Sequence, residues 1–92
     1  MSETTLRLVI SGRVQGVGYR WAMVAQARKL GLCGWVRNRR DGSVEALVAG
    51  AAEAVDSIVR WARQGPEGAA VSEVEMHPAQ GSFDAFEQWP TV

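Results

Sequence analysis

The chain has 92 residues, with 10 basic and 10 acidic side chains that cancel in net charge. This length fits one small domain with a thin core, and the neutral balance gives no general attraction to nucleic acid or to a membrane surface. We therefore expect a single domain over residues 1–92, a monomer with no nucleic-acid or membrane partner. Residues 1–40 hold eight Lys or Arg against one acid, and residues 41–92 hold two against nine. Folding brings the two halves together, so the charges could produce either a mixed surface or a positively charged face at the site.

Cysteine usage and the first residues indicate a reducing, cytoplasmic setting. Cys33 is the only cysteine, which excludes an intramolecular disulfide and a cysteine-cluster metal site. Its apolar neighbours predict a buried structural thiol. The first five residues have neither the basic nor the apolar region of a secretory signal. No apolar run approaches the ~18 residues that a membrane-spanning helix needs.

The first half of the chain predicts a strand, a helix and a hairpin. Apolar spacing predicts a strand over residues 5–11 and a helix over residues 21–30. Four apolar side chains are expected on the inward side of that helix: Trp21, Val24, Ala25 and Ala27. A second strand follows over residues 32–37. Asp41-Gly42 is a strong hairpin signal and leads into a third strand over residues 43–49.

The second half predicts a helix and two extended segments. Val55, Ile58, Val59 and Ala62 form an apolar stripe in a helix over residues 52–64, which Gly65-Pro66 ends. A fourth strand ends at Pro78, and a last extended segment covers residues 83–89. This order is the split βαβ plan. We expect an α+β, ferredoxin-like sandwich: an antiparallel sheet of four strands plus a short C-terminal edge strand, with two helices on one face.

The segment Gly12-Arg13-Val14-Gln15-Gly16-Val17-Gly18-Tyr19-Arg20 lies between the first strand and the first helix. A glycine-spaced loop at this place lets backbone N–H groups converge on an oxyanion, and the positive end of the following helix adds to the attraction. Arg20 supplies a planar fork that matches phosphate oxygens. The Gly-Lys-Ser/Thr triplet of a Walker loop and the third glycine of a dinucleotide fingerprint are both absent. The loop therefore predicts a phosphate site of another kind.

Three sequence blocks at matching separation resemble the acylphosphatase family. They are the segment 12–20, Gly34-Trp35-Val36-Arg37-Asn38 and Asp41-Gly42-Ser43-Val44-Glu45, and the resemblance extends over nearly the whole chain. It implies an enzyme that hydrolyses the carboxyl–phosphate anhydride of small acyl phosphates without a metal ion or cofactor. It also implies that Arg20 and Asn38 stand at the positions of the family's catalytic arginine and asparagine.

The residues themselves fit this chemistry. The leaving group is a carboxylate whose conjugate acid has a pKa near ~4, so it departs as an anion and needs no general acid. Charge on the phosphoryl oxygens must be neutralised by fixed donors, which Arg20 and the amides of Gln15, Gly16, Val17, Gly18 and Tyr19 can supply. Asn38 can hold a water molecule but cannot deprotonate it. The resemblance implies that a phosphate oxygen of the substrate takes the proton.

Several of these residues have a purely structural alternative. Asn38 could simply begin the turn before Asp41-Gly42. The Gln15 side chain is favoured as a loop-shaping group over a ligand, and His77 is expected to be solvated. Arg37, Arg39 and Arg40 either steer an anionic substrate or are solvated charges on the hairpin. Three tryptophans are expected in the core or as half-buried cover: Trp21, Trp35 and Trp61.

Two functional alternatives are weighed against the hydrolase. One is a ferredoxin-like ligand- or RNA-binding module without catalysis, against which the neutral charge argues. The other is an acceptor module, because similar domains occur fused to larger carbamoyl-transfer proteins. The chain departs from the resemblance at its end, where family members commonly have aromatic-x-aliphatic-Arg-Tyr. Here the segment is Phe86-Glu87-Gln88-Trp89-Pro90, so Gln88 stands at the aliphatic position. The resemblance therefore does not predict how the last strand packs.

Overall fold

A computed structural model describes residues 3–92 and confirms the predicted order of elements. The elements are β1 (Glu3–Arg13), α1 (Tyr19–Lys29), β2 (Cys33–Asn38), β3 (Val44–Ala51), α2 (Ala52–Gln64), β4 (Ala70–Pro78) and β5 (Phe86–Gln88). The strands form one sheet in the order β4-β1-β3-β2-β5, in which β5 pairs parallel to β2 and the other neighbours are antiparallel. The fold is the ferredoxin-like α+β sandwich. None of the helices described in residues 3–92 has the length and apolar character to span a membrane.

Helix α2 has the predicted bounds, whereas helix α1 begins two residues earlier than predicted. An apolar stripe and the Gly65-Pro66 stop define α2, and the side chains of Val55, Ile58, Val59 and Ala62 are all buried. Helix α1 begins at Tyr19 because Gly18 takes a left-handed conformation immediately before it. The last strand is shorter than the extended segment predicted for residues 83–89 and covers only Phe86–Gln88.

The predicted inward face of α1 is confirmed for Ala27 and for the half-buried Val24, and is wrong for Trp21 and Ala25. Tyr19, Met23 and Ala27 are its buried side chains, while Trp21 is 75% exposed and Ala25 is also exposed. The apolar residues of α1 lie on all sides of the helix, so their spacing alone does not predict which face is buried. The rotation is fixed by Tyr19, whose hydroxyl donates a hydrogen bond of 2.7 Å to the carbonyl of Ala62 in α2. Trp21 is therefore not core, unlike the buried Trp35 and half-buried Trp61.

The hydrophobic core lies between the two helices and one face of the sheet. Leu8, Ile10 and Val36 from the strands meet Met23 and Ile58 from the helices, all of them fully buried. Phe86 joins this core at 1% exposure, so β5 is packed in spite of its atypical sequence. The core thus ties the last strand to α1 and to the central strands.

The other face of the sheet carries a charged and aromatic cluster. Glu45, which is buried, accepts hydrogen bonds from Arg7 at 3.0 Å and from Arg37 at 2.8 Å. The Arg37 guanidinium also lies 4.6 Å from the centre of the Trp35 ring. By the alternation along β2, Cys33 points to this same face, where it is half-buried. The prediction of a buried structural thiol is therefore wrong, because Cys33 is only half-buried.

Gly34 provides a test of how tightly β2 fits against β3. A Cβ atom at Gly34, whose φ is +134°, would lie 1.8 Å from the carbonyl oxygen of Leu47. We expect Gly34→Ala to lower the free energy of unfolding by about 3 kcal/mol, because both backbone strain and collision must be relieved.

The matched control is Gly42→Ala in the exposed hairpin turn. Gly42 also has a positive φ, +96°, but a Cβ there would meet nothing within 4 Å. We expect it to lose only about 1 kcal/mol, the usual strain of a non-glycine residue in this region. Urea unfolding of both variants measures the difference. Equal losses would contradict the close approach of β2 and β3.

Candidate active site

A cavity of about 160 Å³ lies where the β1–α1 loop faces the end of β2. We call it the loop cavity. Its lining residues are Val14, Gln15, Gly16, Gly18, Tyr19, Arg20, Trp21, Asn38 and Gln88. Six of the seven site residues predicted from the sequence are among them, and the seventh, Val17, instead packs its side chain against the core. For Val17 the predicted contribution is thus limited to its backbone N–H group.

The loop backbone from Gln15 to Tyr19 is shaped by two glycines. Gly16 and Gly18 have φ values of +76° and +77°, which other residues adopt only with strain. The hydrogen bonds found within residues 3–92 leave the backbone N–H groups of Gln15 to Tyr19 without a partner. Donors in this state are stabilised by an anion that enters the cavity.

The N-terminus of α1 adds a positive electrostatic potential at the same place. The first intrahelical bond runs from the Ala22 N–H to the Gly18 carbonyl at 3.0 Å. Within the described chain, α1 has neither a capping side chain nor an acidic residue in its first turn. Its first N–H groups and its dipole therefore face the cavity side without a protein anion. A bound phosphoryl group would fill that role.

The Gln15 side chain ties the loop to the β2–β3 hairpin. Its Nε2 donates to the carbonyl of Arg39 at 2.7 Å and to that of Ser43 at 2.9 Å. Both N–H bonds of the carboxamide nitrogen are used in this way. The side chain therefore shapes the loop, as the structural alternative proposes, and the backbone N–H group of Gln15 is the part left for a ligand.

Tyr19 also faces the cavity with its backbone rather than its hydroxyl. The ring is buried against Trp61, with ring centres 5.3 Å apart, and the hydroxyl is held by Ala62. Burial raises the pKa of the Tyr19 phenol well above its usual value. The phenol consequently stays neutral over the physiological range and does not serve as a base.

Arg20 lies in the first turn of α1, where a cation opposes the helix dipole. One of its terminal nitrogens, Nη1, donates to the backbone carbonyl of Trp89 at 3.3 Å. That carbonyl is held in place because the Trp89 N–H donates to Val36 at 2.8 Å and the indole stacks on Trp35, with ring centres 4.6 Å apart. The C-terminal segment thus orients the guanidinium and leaves its other N–H groups for a ligand.

Asn38 is the last residue of β2 and lies across the cavity from the loop. Its Oδ1 is buried and accepts no hydrogen bond from any residue in the range 3–92. A buried acceptor without a partner costs about 1–3 kcal/mol. The χ2 torsion of an asparagine has a broad minimum, so the carboxamide can turn toward a donor in the cavity at little cost. A water molecule between Asn38 and a bound ligand would be such a donor.

The other charged candidates do not line the cavity. Arg37 is engaged by Glu45, and Arg39 lies 3.6 Å from Asp41 in the hairpin. His77 is on β4, at the far edge of the sheet from β2, where it lies 3.4 Å from Glu75. In the part of the chain that the structure describes, no three His, Cys, Asp or Glu side chains are grouped to hold a metal ion.

Sequence reasoning missed three residues that line the cavity: Val14, Trp21 and Gln88. Val14 belongs to the loop segment 12–20, but nothing in its residue type predicts a role. The apolar character of Trp21 predicts a core position. Gln88 did carry a signal, because it is the polar residue at a position where the resembling family has an aliphatic one.

Comparisons with known proteins identify the family of the chain. The family model of acylphosphatase matches residues 6–88. The acylphosphatase of Albidiferax ferrireducens is 55% identical over 87 residues, which are 95% of each chain. An acylphosphatase structure from Coxiella burnetii superposes with a TM-score of 0.91 at 33% identity, covering 95% of this chain and 93% of that one. The crystal structure of Bacillus subtilis acylphosphatase gives 0.89 at 32% identity, with 96% and 99% covered. The chain belongs to the acylphosphatase family, and it is a phosphatase of that kind.

Proposed function

We propose that this protein hydrolyses the carboxyl–phosphate anhydride of small acyl phosphates to a carboxylate and inorganic phosphate, without a metal ion. In this proposal Arg20 and the backbone N–H groups of Gln15 to Tyr19 hold the phosphoryl group, and Asn38 positions the attacking water. The observation that carries it is one cavity of about 160 Å³ lined by Arg20, by Asn38 and by four loop residues whose backbone N–H groups have no hydrogen-bond partner within residues 3–92, namely Gln15, Gly16, Gly18 and Tyr19.

The loop donors match the charge that develops during the reaction. Phosphoryl transfer spreads negative charge over three oxygens, and catalysis consists mostly of positioning and of neutralising that charge. A ring of fixed N–H groups with one guanidinium does so without reorganisation. The Gln15 ties and the Trp89 contact keep these donors in place before substrate arrives.

Hydrolysis of an acyl phosphate needs no general acid for the leaving group. The oxygen of a water molecule forms a bond to phosphorus, and the bond between phosphorus and the acyl oxygen breaks. The electron pair leaves with the carboxylate, which is stable as an anion near neutral pH. The proton of the water passes to a phosphoryl oxygen. Within the described residues, no Asp, Glu, His, Lys or Cys lines the loop cavity. This supports the substrate itself as the proton acceptor.

Membership of the acylphosphatase family favours an enzyme over a binding module without activity. Three expectations from the sequence remain proposals: that residues 1–92 form one domain, that the protein acts as a monomer, and that it works in the cytoplasm without a nucleic-acid or membrane partner.

Asn38→Ala tests the role of the carboxamide. We expect kcat for acetyl phosphate to fall roughly 10²- to 10³-fold, since the water loses its positioning group. The inhibition constant of inorganic phosphate should change by less than about threefold, because the phosphate donors are intact. Steady-state kinetics with phosphate as competitor measures both. Gln80→Ala, which removes an exposed carboxamide away from the cavity, is the control. A variant at Asn38 that keeps most of its rate would refute the water-positioning role.

Arg20→Ala tests the phosphate-binding role. We expect kcat/KM to fall about 10³-fold and competitive inhibition by phosphate to be lost, because the charged fork is removed. Arg20→Lys should recover only part of the affinity, as an ammonium cannot bind two oxygens in a plane. Arg63→Ala, an exposed arginine of α2, controls for general charge. Unchanged phosphate inhibition in the alanine variant would exclude Arg20 as a ligand.

Metal independence is tested with a chelator. Because the leaving group needs no Lewis acid, we expect the rate of acetyl phosphate hydrolysis to be the same before and after dialysis against EDTA. Adding Mg²⁺ or Zn²⁺ back should not raise it. A loss of rate on dialysis that a metal ion restores would contradict this part of the proposal.

A further inference from the structure

A second concave space of about 410 Å³ adjoins the loop cavity. Its lining residues are Trp21, Val24, Ala25, Arg28 and Gln88. We call it the helix groove. Trp21 and Gln88 line both spaces, so the groove begins where the cavity opens. The two spaces therefore adjoin at Trp21 and Gln88.

The groove is built from one face of α1 and the edge of the sheet. Trp21, Val24, Ala25 and Arg28 follow one another at the i, i+3, i+4, i+7 spacing that places side chains on a single helix face. Opposite them, β5 is the edge strand. The Arg28 Nε donates to the Phe86 carbonyl at 3.2 Å and so holds the helix beside the strand.

The exposure of Trp21 is the unusual feature of this face. Three large apolar side chains are exposed in residues 3–92, namely Trp21, Met76 and Val92, and of these only Trp21 borders the cavity. An indole ring offers a large flat surface for another apolar or aromatic group. Because it is 75% exposed, that surface is not used to stabilise the core.

The chemistry of the substrate links the two spaces. An acyl phosphate joins its phosphoryl group to its acyl carbon through a single oxygen, so a phosphoryl group in the loop cavity leaves the acyl group within one or two bonds of the opening. From there the groove offers Trp21, Val24 and the polar Gln88. No acidic residue lines it in the described structure, so nothing there repels the anionic substrate.

We propose that the helix groove binds the acyl group and favours acyl phosphates with an aromatic body, which packs on the indole of Trp21. This inference rests on the proposed function, since it assigns the second half of the same substrate. It makes Trp21 a specificity-determining residue for that reaction.

The kinetic test compares two substrates. The ratio of kcat/KM for benzoyl phosphate to that for acetyl phosphate should fall roughly fivefold in Trp21→Ala, in the range that an aromatic contact contributes. Trp21→Phe should retain most of the ratio because it keeps a ring. Lys29→Ala, an exposed residue of α1 outside the groove, should leave both rates unchanged. A ratio that is the same in wild type and Trp21→Ala would overturn the proposal.

A binding test separates this inference from the reaction itself. Benzoylphosphonate and acetylphosphonate are not hydrolysed at phosphorus, and their dissociation constants can be measured by NMR titration of the indole N–H signal and the backbone amides. We expect wild type to bind benzoylphosphonate at least about fivefold more tightly, and Trp21→Ala to lose that preference. Selective binding without turnover of either acyl phosphate would overturn the proposed reaction and support the groove. Equal binding of the two phosphonates by wild type would overturn the groove and leave the reaction standing.

Discussion

The site depends on one carboxamide, that of Gln15. Its two hydrogen bonds, 2.7 Å to Arg39 and 2.9 Å to Ser43, join the β1–α1 loop to the hairpin that carries Asn38. Strands β1 and β3 pair as far as Ile10 and Val44, and the Gln15 bonds extend this connection from the sheet to the loop. A distance of an ångström matters in catalysis by positioning. The two bonds of Gln15 agree with the loop-shaping role that the sequence favours for this side chain.

The C-terminal segment fixes the other side of the site. Trp89 stacks on Trp35 at an interplanar angle of 10°, the Arg37 guanidinium lies over the same pair, and the Trp89 carbonyl accepts the hydrogen bond from Arg20. The Val92 N–H continues the contact by donating to the Asn38 carbonyl at 3.1 Å. The tail that departs from the family pattern therefore braces both Arg20 and Asn38 through its backbone, which depends less on side-chain identity. Gln88, the departing side chain, is free to face the substrate space.

The sequence predicted what local patterns determine. Helix α2 was predicted to the residue because its apolar stripe has one clear face and Gly65-Pro66 ends it. Helix α1 has apolar residues on every side, so the exposed position of Trp21 could be read only from the Tyr19 contact with Ala62, 43 residues away. The contact between Arg20 and Trp89 spans 69 residues. Contacts between residues so far apart in the sequence cannot be inferred from the spacing of residues within one helix or strand. The glycine-spaced loop and the start of α1 are enough to predict Arg20 as a phosphate ligand, whereas a role for Asn38 is predicted through the resemblance. The cavity that joins them required the fold.

The proposed mechanism depends on the N–H groups of Gln15 to Tyr19, which have no partner within residues 3–92 and would bind a phosphoryl group next to Arg20. The most direct measurement is a titration of the ¹⁵N-labelled protein with inorganic phosphate, followed by two-dimensional NMR of the backbone amides. We expect saturable shifts at the loop amides and at the Arg20 side chain that share one dissociation constant. Loop amides that stay unshifted up to saturating phosphate, or shifts confined to the hairpin arginines Arg39 and Arg40, would contradict it.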